Sequence, residues 1–335
     1  MYDTLQLIES LKAATATDDR LVLLKAYAAE RDGRGTTGTY DYERAATDIA
    51  LAVPGLPELT EEMLRRGGGD GAFRFLCVTI AFSWLRREHH PDRARDTLRQ
   101  VEAEFNDVPL FLHLRAMSMV DSSITEMREG LELAEKARRR LPDNAGIAHT
   151  CAVFIADLAS NDGFADPKTE LRRGIELVNE AIDGYPDRAR FYHTRARLLR
   201  LQQDYDRARI DIAHAIDIED RKSRDAMDRL AVYFIERSMI DADRSLARLA
   251  KTAEESNKRL TDDTAKLKSA LEASQIQAIE VISFVAAILG LVLATMGEIR
   301  NQSPQDALIV LSGVAVLLFG AVFLGSWLLR RGMRP

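Results

Sequence analysis

"ARFYHTRARLLRLQQDYDRARIDIAHAIDIED", residues 189–220, carries two short helical patterns joined by a turn. Tyr192, Ala196 and Leu199 recur at three- and four-residue spacing, which puts a large-small-large stripe on one face of a first helix. Tyr205 and Ala208 mark the turn and the start of a second helix, and Ile212 and Ala215 continue its packing face. Similar stripes occur upstream. Residues 145–186 give Ala148, Ala152 and Ile155, then Val178, Ala181 and Pro186, with extra residues in "NDGFADPKTE". Residues 109–142 give Leu112, Ala116 and Met119, then Gly130, Ala134, Ala137 and Pro142. A weaker copy over residues 75–106 keeps Ala94, Leu98 and Val101.

These stripes resemble the tetratricopeptide repeat, a helix-turn-helix unit of about 34 residues that stacks into a solenoid. The last copy departs from the repeat pattern in having Asp220 where a closing proline is usual. The resemblance implies an all-α, TPR-like solenoid over residues 72–220 and a partner that is a protein or peptide. The motif specifies packing, not chemistry. It further implies that His113 in "FLHLRA", His149 in "IAHTCA" and His193 in "FYHTRA" share the repeat position that faces the concave groove. Successive repeats stand about 10 Å apart, whereas a metal draws its ligands to about 2 Å, so one shared metal ion is not expected. The stripe is either inherited from one ancestral repeat or used to recognise a peptide. Arg190, Arg197 and Arg200 share the His193 face and make an acidic-ligand site or a solvated arginine face. They do not match the Lys and Asn pattern of the carboxylate-clamp subclass.

The 335 residues carry a net charge of -6, from 46 Lys and Arg against 52 Asp and Glu. No domain-wide basic excess is present to neutralise phosphates, so nucleic acid is not an expected partner. Cys77 and Cys151 lie in helical apolar patterns and are expected as buried thiols. No nucleophile motif, phosphate loop or metal spacing is visible, and no enzyme activity, metal or cofactor is expected. Residues 1–66 form further amphipathic helices broken at "DGRGTTG" and "VPGLP", as a cap or a small bundle. "GGGDG", residues 67–71, reads as a hinge.

Residues 221–275 contain neither Gly nor Pro and form a helical stalk. A weak heptad there sets Leu246, Leu260 and Leu267 at one core position, and Asn257 and Leu271 at the other, pointing to self-association or to a lone helix packed on the last repeat. Two apolar runs follow, Val281–Met296 and Ala307–Leu329, without a charged residue. They read as transmembrane helices over residues 276–297 and 307–329, joined by an external turn at 298–306 and followed by a cytoplasmic tail at 330–335. Lys266 and Lys268 precede the first run and Arg330, Arg331 and Arg334 follow the second, which places both ends in the cytoplasm, with a bacterial inner membrane as the expected location. Gly290 lies on a small-residue face that suits close helix packing. Glu280, at the span edge, is a carboxylate reaching interfacial water or, as a ring in an oligomer, a pore mouth. The leading expectation is therefore a membrane-anchored, non-enzymatic scaffold or adaptor that binds its partner in the groove and forms a homo-oligomer. The alternative is an oligomeric pore-forming effector of a prokaryotic conflict or antiphage defence system, with the repeats as sensor.

Overall fold

The computed structural model describes residues 4–221, 225–299, 309, 312–316, 319–320 and 322–323. Among these residues the chain is all-α. Four helices come first: α1 (Thr4–Ala13), α2 (Thr17–Gly33), α3 (Tyr40–Ala52) and α4 (Leu56–Arg66). Four antiparallel pairs follow. They are α5 (Gly71–Arg87) with α6 (Pro91–Phe105), α7 (Pro109–Met117) with α8 (Ile124–Arg140), α9 (Ala145–Ser160) with α10 (Pro167–Gly184), and α11 (Ala189–Leu201) with α12 (Tyr205–Ile218). One long helix, α13 (Ala226–Ile299), ends the described order.

Local chemistry sets these boundaries. Pro91, Pro109 and Pro167 open their helices at the first position, where a missing N–H costs nothing. Ser123 and Glu126 form a capping box at the start of α8, and the Asn144 side chain accepts from the Ile147 N–H at 3.1 Å. The tract read as an insertion in "NDGFADPKTE" is only in part a loop, because Pro167 to Glu170 form the first turn of α10. "GGGDG" is a helix stop and start: Gly67 ends α4 at φ 71°, and the Asp70 side chain accepts from the Phe73 N–H at 2.8 Å to open α5.

The chain falls into two compact units, residues 1–247 and residues 248–335. Within the first unit, α1–α4 share one apolar core with α5–α7, where Leu7, Ile49, Phe73, Phe82 and Phe111 are all buried. A second core runs through α7–α11 around Phe154, Ile155 and Phe191, and a third joins α11 and α12 to Leu230, Tyr233 and Ile240 of α13. The repeat stripes lie in these cores: Ala94, Ala116, Ala134, Ala152, Ala181, Ala196 and Ala215 are at most 1% exposed.

Close helix approach depends on small residues at one repeat position. A Cβ on Gly130 would stand 2.5 Å from Phe154 Cζ and 3.2 Å from Met119 Cβ. Gly130→Leu is expected to destabilise the array by about 1–3 kcal/mol through overpacking. Gly184→Ala, where an added Cβ meets nothing within 4 Å, is expected to be neutral or slightly stabilising. Denaturant unfolding of the two variants checks the contrast; equal midpoints would show that the array does not depend on this approach.

In the second unit α13 continues to Ile299, past Gly297, where the sequence pattern places the helix end. Leu260, Leu267 and Leu271 are exposed, as are Ile276, Ile282 and Leu293. Of the second apolar run, residues 312–316 are helical, and Ile309, Val316, Phe319 and Phe323 are exposed. The turn at residues 300–306 and the tail at 330–335 lie outside the described residues.

Candidate functional site

The three histidines lie on α7, α9 and α11, the first helices of successive pairs; His113 and His149 reach the next pair, and His193 reaches α13. His113 Nε2 is 2.9 Å from Thr150 Oγ1, and His149 Nε2 is 2.9 Å from Thr194 Oγ1. His193 lies against Tyr233 of α13, with ring centroids 4.9 Å apart. Thr150 directly follows His149 and Thr194 directly follows His193, so α9 and α11 each share a hydrogen bond with the previous pair and extend a histidine to the element that follows. The outcome is a ladder inside the array.

Helix α3 and the turn at Gly38 that precedes it pack against this ladder. Tyr40, the first residue of α3, is 2% exposed and packs edge-on against Tyr185 at 4.7 Å and tilted against Phe191 at 6.0 Å. Arg190 donates to the Tyr40 hydroxyl, and its guanidinium lies 5.6 Å from the ring centroids of both Tyr40 and Phe191. Glu43, one turn further along α3, brings Oε2 to 3.5 Å from Nδ1 of fully buried His113. Asn144 Nδ2 donates to the Gly38 carbonyl at 2.8 Å. Gly146 makes room for the approach, since a Cβ there would lie 2.8 Å from the Tyr40 ring and 2.9 Å from Glu43 Oε2.

The arginines that the sequence groups with His193 take separate partners. Arg197 Nη2 is 2.5 Å from Asp157 Oδ1 on α9, and Arg200 pairs with Glu236 at 2.7 Å and Asp243 at 2.9 Å on α13. Carboxylates of the chain itself thus engage Arg197 and Arg200, while Arg190 is held by the Tyr40 hydroxyl. All three arginines retain only partial exposure.

Burial governs the electrostatics. It pushes the His193 pKa down to about 3, with Arg197 adding to the effect, and lowers His149 well below the ordinary histidine value, with Arg190 and His193 adding to it. His113 is lowered by burial against the opposing pull of Glu43. The ladder is therefore neutral at pH 7. Burial raises the Asp157 carboxyl while Arg197 works against it. Burial works against the Arg190 charge, but Tyr40 and Glu43 beside it prevail and the pKa is raised. Cys77 and Cys151 are buried free thiols pushed up to about 12, too high for a thiolate at neutral pH. Among the described residues no group of three or more His, Cys, Asp or Glu is placed to hold a metal ion.

The expected oligomerisation residues Leu246, Asn257, Leu260, Leu267 and Leu271 are exposed along α13, and Glu280 is exposed nearer its end. A Cβ on Gly290 would meet nothing within 4 Å. Sequence spacing singled out the histidines but not their partners Thr150, Thr194, Tyr40 and Glu43. The "HT" dipeptide shared by "AHTCA" and "YHTRA" is the one signal that marks the threonines. Nothing local marks Tyr40 as a contact of residues about 150 positions away.

No protein-family model matches the chain, and no curated protein matches it. Among solved structures it is similar to MamA 41-end from Desulfovibrio magneticus RS-1, at 9% identity and a TM-score of 0.34, covering 59% of this chain and 97% of that one. A likeness this distant carries no argument about a site, and the helical-repeat reading rests on the chain's own helix pairs.

Proposed function

We propose that the chain is a membrane-anchored adaptor whose TPR-like array docks a protein partner on the cytoplasmic side. The observation that supports this most is the course of α13. It begins packed on the last repeat through Tyr233 and Ile240 and runs unbroken into an apolar stretch where Ile276, Ile279, Ile282, Leu289 and Leu293 are 57–68% exposed. Among the described residues it is the helix long and apolar enough to cross a bilayer. Leaving that stretch in water forfeits about 1.5–3 kcal/mol for each large side chain that lipid would cover. The second run, Ala307–Leu329, completes a two-span hairpin in this reading, and flanking lysines and arginines keep both ends cytoplasmic. Helical arrays present side-chain stripes to partners, and here Arg190, Arg197 and Arg200 of that stripe are engaged by Tyr40, Asp157 and Glu236 of the same chain.

The test compares the full chain with one ended at Ser274. The full chain is expected in the membrane fraction, resistant to alkaline carbonate, and the shortened chain is expected to be soluble with its array helices intact. A full chain that stays soluble without detergent would remove the anchor from the proposal. Loss of membrane potential on expression of the full chain, absent with the shortened one, would replace the adaptor with the pore-forming effector.

A further inference from the structure

The first turns of α13 are apolar on two opposite faces. One face is spent on the array: Ala226, Leu230, Tyr233 and Ile240 are 0–9% exposed, and Glu236 and Asp243 flank them in ion pairs to Arg200. On the other side Val232, Ile235, Met239 and Leu246 are 42–63% exposed. Phe234, Ile235, Ser238, Met239 and Ala242 line a shallow hollow there. An amphipathic helix packed on a globular array needs one apolar face, and this one has a second.

The spacing of the second face identifies what covers it. Ile235, Met239, Ala242, Leu246, Leu249 and Ala253 alternate at four and three residues, a phase that moves Leu246 from the core position of Leu260 to that of Asn257. After one further step of four, Asn257, Leu260, Thr264, Leu267, Leu271 and Ser274 resume the alternation. A straight α-helix drifts about 20° per heptad against a 3.5-residue repeat, so a seam of this length stays on one face only if the helix supercoils with another helix. The two consecutive steps of four are a stutter, which locally unwinds a coiled coil without ending it. Asn257 sits at a core position, where an amide fixes register at some cost in stability. In this phase Asp263 precedes a core position and Lys268 follows the next one, which brings Asp263 of one copy beside Lys268 of the other when the helices are parallel and in register. Antiparallel helices would lose that pairing.

We propose that this face of α13 is covered by the same face of a second copy, in a parallel coiled coil that begins at Ile235, beside the last repeat, rather than lower in the stalk. The inference deepens the adaptor reading, in which a shared membrane also keeps two copies parallel, but it stands on the seam and the charge pairing alone. Each copy's last repeat is then clamped next to its partner's, so a dimer presents two arrays at a fixed spacing.

Disulfide trapping of the full chain tests it, because native Cys77 and Cys151 are buried with thiols pushed up to about 12 and stay silent. Met239→Cys and Leu246→Cys are exposed substitutions that leave the array folded, and each should give mostly a disulfide-linked homodimer under mild oxidation. Arg237→Cys, exposed but off the seam, should not. Lys268→Asp should reduce the trapped dimer, and Asp263→Lys in the same chain should restore it. Trapping at Leu260→Cys but not at Met239→Cys would confine the seam to the lower stalk and overturn the inference. Equal trapping at Arg237→Cys, or cross-linking at Met239→Cys to a different protein, would overturn it as well. A chain that proves soluble yet traps at Met239→Cys removes the anchor and leaves the seam standing, so the two readings fail separately.

Discussion

Tyr40→Ala is expected to destabilise residues 1–247 by about 3–5 kcal/mol, the usual cost of emptying a buried aromatic site. Its ring is 2% exposed, fills the space between Tyr185, Phe191 and the Arg190 guanidinium, and lies close against Gly146 of α9. For a unit of this size that corresponds to a fall in Tm of roughly 6–20 °C, read by circular dichroism. Tyr40→Phe removes only the hydroxyl that accepts from Arg190, and should cost about 1–2 kcal/mol. Leu5→Ala, at a side chain 69% exposed, provides the baseline. If Tyr40→Ala shifts Tm no more than Leu5→Ala does, the N-terminal helices are not fastened to the array through this residue. The same geometry changes what Arg190→Glu does. On a freely solvated groove it would alter ligand affinity alone; wedged beside Glu43 and under Tyr40, it costs stability as well, because it places a second carboxylate where a cation was.

The all-α repeat architecture was legible because it depends on local spacing. Small residues such as Ala196 and Ala152 recur where helices touch, and prolines such as Pro109 and Pro167 mark where they begin. The continuity of α13 was equally legible, since no Gly or Pro interrupts residues 226–289. What local spacing does not encode is which surface the array turns toward which other element. Whether His113 meets solvent, a peptide or Glu43 depends on how pairs stack and on α3 returning across them, a contact 70 residues distant. Arg190, Arg197 and Arg200 read as one patch because they fall near one another on α11, yet their partners come from α3, α9 and α13 in turn. A stripe on a helix is a sequence property, and its occupant is a property of the superhelix. The exposed face at Ile235 and Met239 is hidden in the sequence for a related reason: only the packed position of Tyr233 and Ile240 reveals that the apolar residues between them point elsewhere.

Lowering the pH from 7 to 4.5 is expected to weaken the array strongly, and His193→Phe is expected to remove much of that loss. A histidine whose folded pKa lies below its unfolded value of about 6.5 takes up protons more readily when the chain unfolds. Its contribution is complete above the unfolded pKa and declines as the pH falls toward the folded one. His193, pushed down to about 3, alone accounts for about 3 kcal/mol between pH 7 and 4.5, and lowered His113 and His149 act in the same direction. Asp48 and Asp157, raised by burial, act oppositely at the acid end, which is why a difference between variants isolates the histidine better than one titration does. Buried Nε2 of His193 has no hydrogen-bond partner and the ring packs on Tyr233, so phenylalanine replaces an unsatisfied nitrogen with carbon and should be neutral or slightly stabilising at pH 7. The advantage of His193→Phe over the native chain should therefore widen by about 3 kcal/mol at pH 4.5, measured from guanidinium unfolding at both pH values. A gap that stays constant would mean that His193 takes up its proton in the folded array, and that water or an anion reaches the ladder from the groove side.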